Sequence, residues 1–297
     1  MLLNFLQEIR QGNFKSLARC ISLIENQAAG SLELLKKLPY SQTPVIGITG
    51  PPGVGKSTLV NALTGMILKQ NKKVAVLCID PSSPFHHGAF LGDRIRMNQW
   101  SDHAGVFIRS LSSRGSLGGL HPRIFEITDL LKAGPFDYIL IETVGIGQSE
   151  LEIASIADFT IMTLMPGAGD EIQALKSGVF EVADLFVVNK ADHAGTNHFI
   201  KNLESALHFG SKPFEIIETV ATEGKGIDQL MASIEKHTKS FEQKHSLNLA
   251  EKAYRLILAE KMKEIGKPEL LDKIKEEARS GHFNLYEFVD NYLSGRK

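Results

Sequence analysis

The residues from Gly50 to Ser57 carry the clearest chemical pattern in the chain. They read Gly-Pro-Pro-Gly-Val-Gly-Lys-Ser and match G-x-x-x-x-G-K-[ST], the pattern of a phosphate-binding loop. Glycines let backbone N–H groups face phosphate oxygens without a Cβ clash, and a following helix adds partial positive charge. In this pattern Lys56 binds the β- and γ-phosphates, and the Ser57 hydroxyl is a ligand of Mg²⁺. The predicted phosphate-binding residues are Gly50, Pro51, Pro52, Gly53, Val54, Gly55, Lys56, Ser57 and Thr58.

The segments beside this loop are those that a phosphate loop requires. Residues 45–49 are apolar and typical of a buried strand, and residues 58–70 have the pattern of a helix. The alternative is a glycine-rich turn with no ligand. The strand before the loop and the helix after it favour phosphate binding.

A second pattern, Asn189-Lys190-Ala191-Asp192, resembles the NKxD guanine signature of GTPases. The Asp192 carboxylate can accept hydrogen bonds from both N1–H and the N2 amino group of guanine, a pair of donors that adenine lacks. We predict that Asn189 holds the loop near the purine edge and that the Lys190 stem packs on the base. Asn and Asp also suit a helix cap or a surface turn. The position after the sixth apolar run, in a chain with a phosphate loop, favours GTP.

The next loop along the chain supplies further candidates for base binding. It reads Val220-Ala221-Thr222, and its backbone N–H groups are predicted to bind the guanine O6. Val220 stands where GTPases often have Ser, so this loop departs from the usual pattern.

Acidic residues at strand ends are candidate magnesium ligands. Asp80 and Glu142 each end an apolar run, and such ends meet in the ligand crevice of a parallel sheet. Together with Ser57 they could hold Mg²⁺, directly or through water, and Asp93 is a third candidate acid. A turn or helix-cap role is the alternative for each carboxylate.

Two polar segments follow these acids and could respond to the γ-phosphate. The first, residues 81–97, is rich in Gly, Ser and His and ends near Arg94 and Arg96. The pair His86 and His87 could indicate a metal site. A polar loop is favoured, because no further His or Cys stands at metal-ligand spacing.

The second segment begins at Glu142, and the Gly145 N–H is predicted to bind the γ-phosphate. Ile146 occupies the place of the water-orienting Gln of Ras-like GTPases, so hydrolysis should be slow in the isolated protein. The candidate catalytic groups are Lys56, Glu142, Gly145, Gln148, Arg94 and Arg96.

Apolar runs alternating with helical patterns predict the fold class. Their continuous apolar character suits strands covered on both faces, as in an α/β protein with a doubly wound, mostly parallel sheet. The runs span 45–49, 74–79, 106–110, 138–142, 159–165, 185–189 and 214–219. We predict an N-terminal helical arm over 1–40, a phosphate-loop domain over 41–240, and a helical extension over 241–297.

Composition narrows the functional class. The 297 residues have a net charge of -1, which gives no general attraction to nucleic acid or anionic lipid. Two cysteines, Cys20 and Cys78, form neither a disulfide framework nor a zinc pattern and suit a reducing compartment such as the cytoplasm. No apolar run is long enough to span a bilayer, and the N-terminus lacks the basic flank of a signal peptide.

Several extended motifs stand in order along the chain. They are Asp80-Pro81-Ser82-Ser83, Leu91-Gly92-Asp93, Arg96-Met97, Arg114-Gly115-Ser116-Leu117-Gly118-Gly119, Glu142-Thr143-Val144-Gly145-Ile146-Gly147-Gln148-Ser149-Glu150 and Pro166-Gly167-Ala168-Gly169-Asp170-Glu171-Ile172-Gln173. Taken together, they resemble the motifs of the MeaB/ArgK family, which includes the human methylmalonic aciduria type A protein. The resemblance covers nearly the whole chain, including Leu17-Ala18-Arg19 in the N-terminal arm.

The resemblance implies a homodimeric GTPase that uses GTP, GDP and Mg²⁺ and acts as a chaperone of a cobalamin-dependent acyl-CoA mutase of the methylmalonyl-CoA mutase type. Such proteins gate cofactor loading and protect the mutase. The resemblance further implies a switch over residues 166–176, carried by Asp170, Glu171 and Lys176, and dimer contacts in the C-terminal helices. One departure is the aromatic and His-rich stretch Phe85-His86-His87-Gly88-Ala89-Phe90, where the family has small residues.

Two other functions remain open. A kinase of a periplasmic amino-acid-binding transport protein is a role attached to the family by name, although no base for a phospho-acceptor hydroxyl is evident. A metal-insertion GTPase would carry a Cys or His motif, and only His86 and His87 hint at one.

Overall fold

The chain forms two compact units, Met1–Asn248 and Leu249–Lys297. The structure is a computed structural model, and it describes residues 2–80, 98–100, 102–113, 119–143, 152–167, 182–207, 214–238, 249, 252–254, 256–258, 261, 267–278, 288 and 292.

A seven-stranded sheet is the centre of the first unit. Its strands are β1 Val45–Thr49, β2 Val74–Asp80, β3 Val106–Ser112, β4 Tyr138–Glu142, β5 Phe159–Leu164, β6 Leu185–Asn189 and β7 Ile216–Thr219. The order is β3-β2-β4-β1-β5-β6-β7, and every neighbouring pair is parallel. The predicted α/β class with a doubly wound parallel sheet is confirmed.

Helices cover both faces of this sheet within the first unit, and a further helix belongs to the second unit. They are α1 Leu2–Arg10, α2 Phe14–Glu25, α3 Ser31–Leu35, α4 Lys56–Lys69, α5 Ile124–Lys132, α6 Thr196–Leu207, α7 Ile227–Thr238 and α8 Lys267–Ala278. A short 3₁₀ turn, Asn98–Trp100, precedes β3.

The strands are apolar throughout because both faces of the sheet are covered. Alternate residues of β2 point to opposite sides: Ala75 and Leu77 join one apolar cluster, whereas Val76 and Cys78 join the other. The first cluster includes residues of α1, α2 and α5, and the second includes residues of α4 and α7. This two-sided burial is the expected environment of a parallel sheet.

The N-terminal helices belong to the same compact unit as the sheet. Leu17, Cys20 and Ile21 of α2 are fully buried in a core shared with α5. Asn13 caps α2, since its Oδ1 accepts hydrogen bonds from the backbone N–H groups of Lys15 and Ser16, both at 3.1 Å. The N-terminal helices and the sheet thus share one apolar core.

The second unit contains α8, which spans Lys267–Ala278. Lys273 Nζ lies 5.6 Å from the centre of the Tyr292 ring. Large apolar side chains are exposed in this unit, namely Leu249, Tyr254, Leu256, Ile257, Leu258 and Tyr292. Within the described parts of the chain, no helix has the length and apolar character needed to cross a membrane.

Candidate nucleotide-binding site

The predicted site residues gather at the carboxyl edge of the sheet, beside the central strand β1. β1 lies between β4 and β5, and the loop of residues 50–55 connects its end to α4. In open parallel sheets, ligands bind at this edge, where the strand order reverses. The phosphate-loop pattern, Glu142 and the Asn189 motif are thus brought to one edge by the parallel topology.

Glycine is required at two points of the loop because neighbouring segments approach closely. At Gly50, which has φ +139°, a Cβ would stand 2.1 Å from the carbonyl oxygen of Thr163. At Gly55, which has φ +93°, a Cβ would stand 2.4 Å from Nδ2 of Asn189. The second contact joins the phosphate loop directly to the predicted base-binding motif.

Lys56 is the first residue of α4 and is buried, with 7% of its surface exposed. Its Nζ donates hydrogen bonds to the carbonyl oxygens of Gly50 and Pro51, each at 2.8 Å. The ammonium group thus lies over the loop, next to the N-terminus of α4, where an anion is favoured by the helix dipole and by free backbone N–H groups. Phosphate oxygens could take the place of these two carbonyls.

Ser57 and Glu142 are in direct contact. The Ser57 hydroxyl donates a hydrogen bond to Glu142 Oε1 at 2.6 Å. Glu142 ends β4 and Asp80 ends β2, and both residues are buried. In the parallel pairing of β2 with β4, Cys78 stands opposite Glu142. Asp80 therefore lies two residues further along the neighbouring strand. A hydroxyl and carboxylates together are the oxygen donors that Mg²⁺ prefers, so the residues fit that ion.

Asn189, the last residue of β6, contacts three separate segments. Its Nδ2 donates to the Val54 carbonyl at 2.9 Å. Its Oδ1 accepts from the Thr219 hydroxyl at 3.0 Å and from the Ala221 backbone N–H at 3.2 Å. The buried amide therefore holds the phosphate loop, the end of β7 and the following loop together.

Lys190 and Asp192 follow on the same loop. Lys190 has φ +56°, and its Nζ donates to the Gly53 carbonyl at 2.8 Å. Its stem therefore runs toward the phosphate loop, as a side chain covering one face of a bound base would. Asp192 is exposed at the edge, where its carboxylate can accept hydrogen bonds from a ligand.

The loop after β7 is held by its own backbone. The Val220 N–H donates to the Lys225 carbonyl at 3.1 Å, and the Ala221 N–H is bonded to Asn189. Two of the N–H groups expected to face the guanine O6 thus bond within the protein, while Thr222 is exposed. The Glu223 hydrogen bond, then the charges of Glu223 and Asp192, raise the pKa of Lys225.

Several predicted residues lie outside the described residues. They are His86, His87, Asp93, Arg94, Arg96, Gly145, Ile146, Gln148 and the proposed switch residues Asp170, Glu171 and Lys176.

Sequence reasoning did not single out Thr219, although its hydroxyl holds Asn189. The available signal was its position at the end of the strand that precedes the Val220 loop.

Sequence reasoning also missed the contact of Trp100 with α4. Trp100 Nε1 donates to Asn61 Oδ1 at 2.6 Å, and a Cβ on Gly65 would stand 3.3 Å from the indole.

Comparison with known proteins gives relatives along most of the chain. A putative GTPase of Pyrococcus horikoshii is 42% identical over 257 residues, 83% of this chain and 80% of that protein. The GTPase ArgK of Escherichia coli is 38% identical over 245 residues, 77% of this chain and 73% of its own length. The mouse methylmalonic aciduria type A homolog is 42% identical over 147 residues, covering 50% of this chain and 35% of that protein.

A crystal structure of an LAO/AO transport system kinase superposes with a TM-score of 0.69 at 26% identity, covering 99% of this chain and 96% of its own. Residues 17–279 match the family model described as methylmalonyl-CoA mutase-associated GTPase MeaB. The family match and the similar GTPases are consistent with a phosphate loop that contacts the Asn189 motif. The chain belongs to the MeaB family of P-loop GTPases.

Proposed function

We propose that this GTPase is a nucleotide-dependent switch that acts as a chaperone of a cobalamin-dependent acyl-CoA mutase of the methylmalonyl-CoA mutase type. It gates loading of the mutase cofactor and protects the loaded enzyme. The observation that carries the nucleotide part is the bond between Asn189 and Val54, because it joins the phosphate loop to the guanine motif. The family description, which names association with that mutase, supports the partner.

On the phosphate side, Lys56 exchanges its two loop carbonyls for β- and γ-phosphate oxygens. The backbone N–H groups of the loop and of the α4 N-terminus bind the remaining oxygens. Ser57, with Glu142, Asp80 and Asp93 as carboxylate candidates, would hold Mg²⁺, whose charge would offset that of the phosphates. The 2.6 Å contact between Ser57 and Glu142 supports placing these two side chains at the same ion.

On the base side, Asp192 selects guanine by accepting two hydrogen bonds from its N1–H and N2 amino groups. Lys190 covers a face of the base, and Asn189 keeps the loop in place. The Val220-Ala221-Thr222 loop borders the O6 edge. The exposure of Asp192 and the direction of the Lys190 side chain support this arrangement.

Hydrolysis converts GTP to GDP and phosphate and is slow without a partner. Ile146 cannot orient the attacking water as the Gln of Ras-like GTPases does. The groups proposed to assist are the Gly145 N–H at the γ-phosphate, with Gln148, Arg94 and Arg96 as further candidates. Slow basal turnover suits a protein whose output is a change in its partner.

The proposed partner contacts involve two regions. Residues 166–176, with Asp170, Glu171 and Lys176, transmit the nucleotide state to the mutase. The helices of residues 241–297 form a homodimer contact, and the exposed side chains of Tyr254, Ile257 and Leu258 in that region support this. The N-terminal arm over 1–40 and the GTPase domain over 41–240 form the remainder of the protomer.

The test measures GTP hydrolysis by the full chain alone and with a methylmalonyl-CoA mutase, with release of labelled phosphate as the readout. We expect low basal turnover that rises when the mutase is added, and no rise for Lys56→Ala. A fast isolated enzyme would contradict slow hydrolysis, and unchanged turnover with the mutase would contradict the partner. Labelling of a periplasmic amino-acid-binding protein by γ-labelled GTP or ATP would favour a kinase, the activity named for the superposed crystal structure.

A further inference from the structure

Two buried threonines lie between the phosphate loop and the Glu142 strand. Thr49 is the last residue of β1, directly before Gly50, and Thr143 directly follows Glu142. The exposed fractions of these two residues are 0% and 1%. Neither residue is a predicted ligand of phosphate, base or metal, although Thr143 stands next to the metal candidate Glu142 in its motif.

The two side chains are bonded to each other. Thr49 Oγ1 and Thr143 Oγ1 lie 2.8 Å apart, and either hydroxyl can be the donor. The backbone adds a second bond, from the Thr143 N–H to the Ile48 carbonyl at 3.1 Å. Since Ile48 is paired with Glu142 in the β1–β4 ladder, the pair continues that ladder by one residue beyond the end of β4.

This hydroxyl bond is not required by strand packing. Elsewhere in β1 the buried side chains are the apolar Val45, Ile46 and Ile48. A valine has nearly the shape of threonine, so an apolar pair would fill the same space without a polar group to satisfy. A buried hydroxyl has a free-energy cost unless it is hydrogen-bonded, and here one hydroxyl donates to the other.

We propose that the Thr49–Thr143 pair is a positioning element of the Mg²⁺ site. It fixes the end of the Glu142 strand against the end of the strand that leads into the phosphate loop. The Glu142 carboxylate is thereby held within hydrogen-bond distance of Ser57, at the observed 2.6 Å. The inference rests on the proposed function, because it assumes that Ser57 and Glu142 serve the same metal ion.

The experiment titrates Mg²⁺ into the full chain with a non-hydrolysable GTP analogue and measures the Mg²⁺ concentration for half-maximal binding. Thr49→Val and Thr143→Val are each expected to raise it about five-fold, the change that corresponds to one net hydrogen bond. The double variant should be no worse than either single variant, since all three lack the same bond. Analogue binding in EDTA should be unchanged, and Thr143→Ser should restore the wild-type value.

Thr128→Val is the matched control. Its hydroxyl is also buried, but it bonds to the Ile124 carbonyl within α5, away from the proposed metal ligands. It should lower the melting temperature without changing the Mg²⁺ requirement. If a valine variant fails to fold, Thr143→Ala, which introduces no new methyl contact, is measured in its place.

Two results would overturn the inference, and they differ. Variants that melt at lower temperature but keep the wild-type Mg²⁺ requirement would show that the pair is only structural, with the proposed metal site intact. Wild-type binding with no dependence on Mg²⁺ would remove the metal site itself, and the positioning inference with it.

Discussion

The base side and the phosphate side of the site hold their polar side chains in different ways. On the base side, Asn189 is bonded to protein groups from three segments, which hold the motif together before a base binds. On the phosphate side, Lys56 and Ser57 are bonded to protein oxygens that stand where phosphate and metal are proposed to bind.

This difference suggests that the base side serves selectivity for the nucleotide base, whereas the phosphate side changes its contacts when phosphate and metal bind. A base side organised before binding spends little free energy on ordering when the nucleotide arrives, which favours selectivity. A phosphate side that exchanges partners is the part whose arrangement depends on the ligand. We therefore expect substitutions on the two sides to have different effects on binding and stability.

The largest effect is expected for Lys56→Ala. The substitution removes the lysine of the phosphate-loop pattern, whose ammonium group lies over the loop. GTP affinity should therefore fall at least about 100-fold. Isothermal titration calorimetry measures the change. Lys69→Ala, at the exposed end of the same helix, is the control and should bind as the wild type does. Unchanged affinity for Lys56→Ala would contradict the phosphate-loop assignment.

The next effect is expected for Asp192→Asn. A carboxamide presents a donor where guanine also presents donors, so GTP affinity should fall by about 10- to 100-fold while xanthosine triphosphate binding improves. Competition binding with both nucleotides gives the selectivity ratio. Asp228→Asn, in the exposed first turn of α7, is the control. Persistent preference for GTP would count against the base-site assignment.

A smaller effect on affinity is expected for Asn189→Ala, which breaks the connection between the two sides. GTP and GDP should both bind about 10-fold more weakly, and the free energy of unfolding should fall by about 2 kcal/mol, because several buried partners lose their bonds. Chemical denaturation and calorimetry measure the two quantities. Asn197→Ala, exposed on α6, should change neither. Loss of stability with unchanged nucleotide affinity would show that the two sides act independently.

The smallest effect is expected at the rim of the base side. Glu223→Gln removes the carboxylate whose hydrogen bond is the main cause of the raised Lys225 pKa, so that pKa should fall toward its ordinary value. GTP affinity should change less than about two-fold, because the ion pair is exposed to solvent. NMR titration of the lysine side chain measures the pKa, with Glu204→Gln on α6 as control. A pKa that stays raised would leave Asp192 as the main cause.

Much of the fold was predictable because parallel strands buried on both faces are continuously apolar. The exact ends of the strands were less predictable than their positions. β3 extends to Ser112, and within it Arg109 is paired with Glu25 of α2, a partner distant in sequence that no local pattern reveals. The predicted seventh strand began at residue 214, but Phe214 and Glu215 lie outside β7.

The motif residues were predictable at the candidate site, but their mutual contacts were not. The pattern around Lys56 and the one around Asp192 each implied a binding function. Neither implied that Gly55 packs against Asn189 or that Lys190 reaches Gly53. Such contacts depend on how two loops from different strands meet at the sheet edge, which is set by the tertiary fold.

The contact between Trp100 and α4 gives the protein a built-in optical reporter. Trp100 is the only tryptophan among the 297 residues, so all indole emission comes from one site. Its Nε1 is bonded to Asn61, one helical turn beyond Ser57 on the helix that begins at the phosphate loop. Any shift of that helix when nucleotide or Mg²⁺ binds changes the surroundings of the indole. Rapid-mixing fluorescence on unlabelled protein can therefore time the rearrangement of the phosphate side separately from phosphate release.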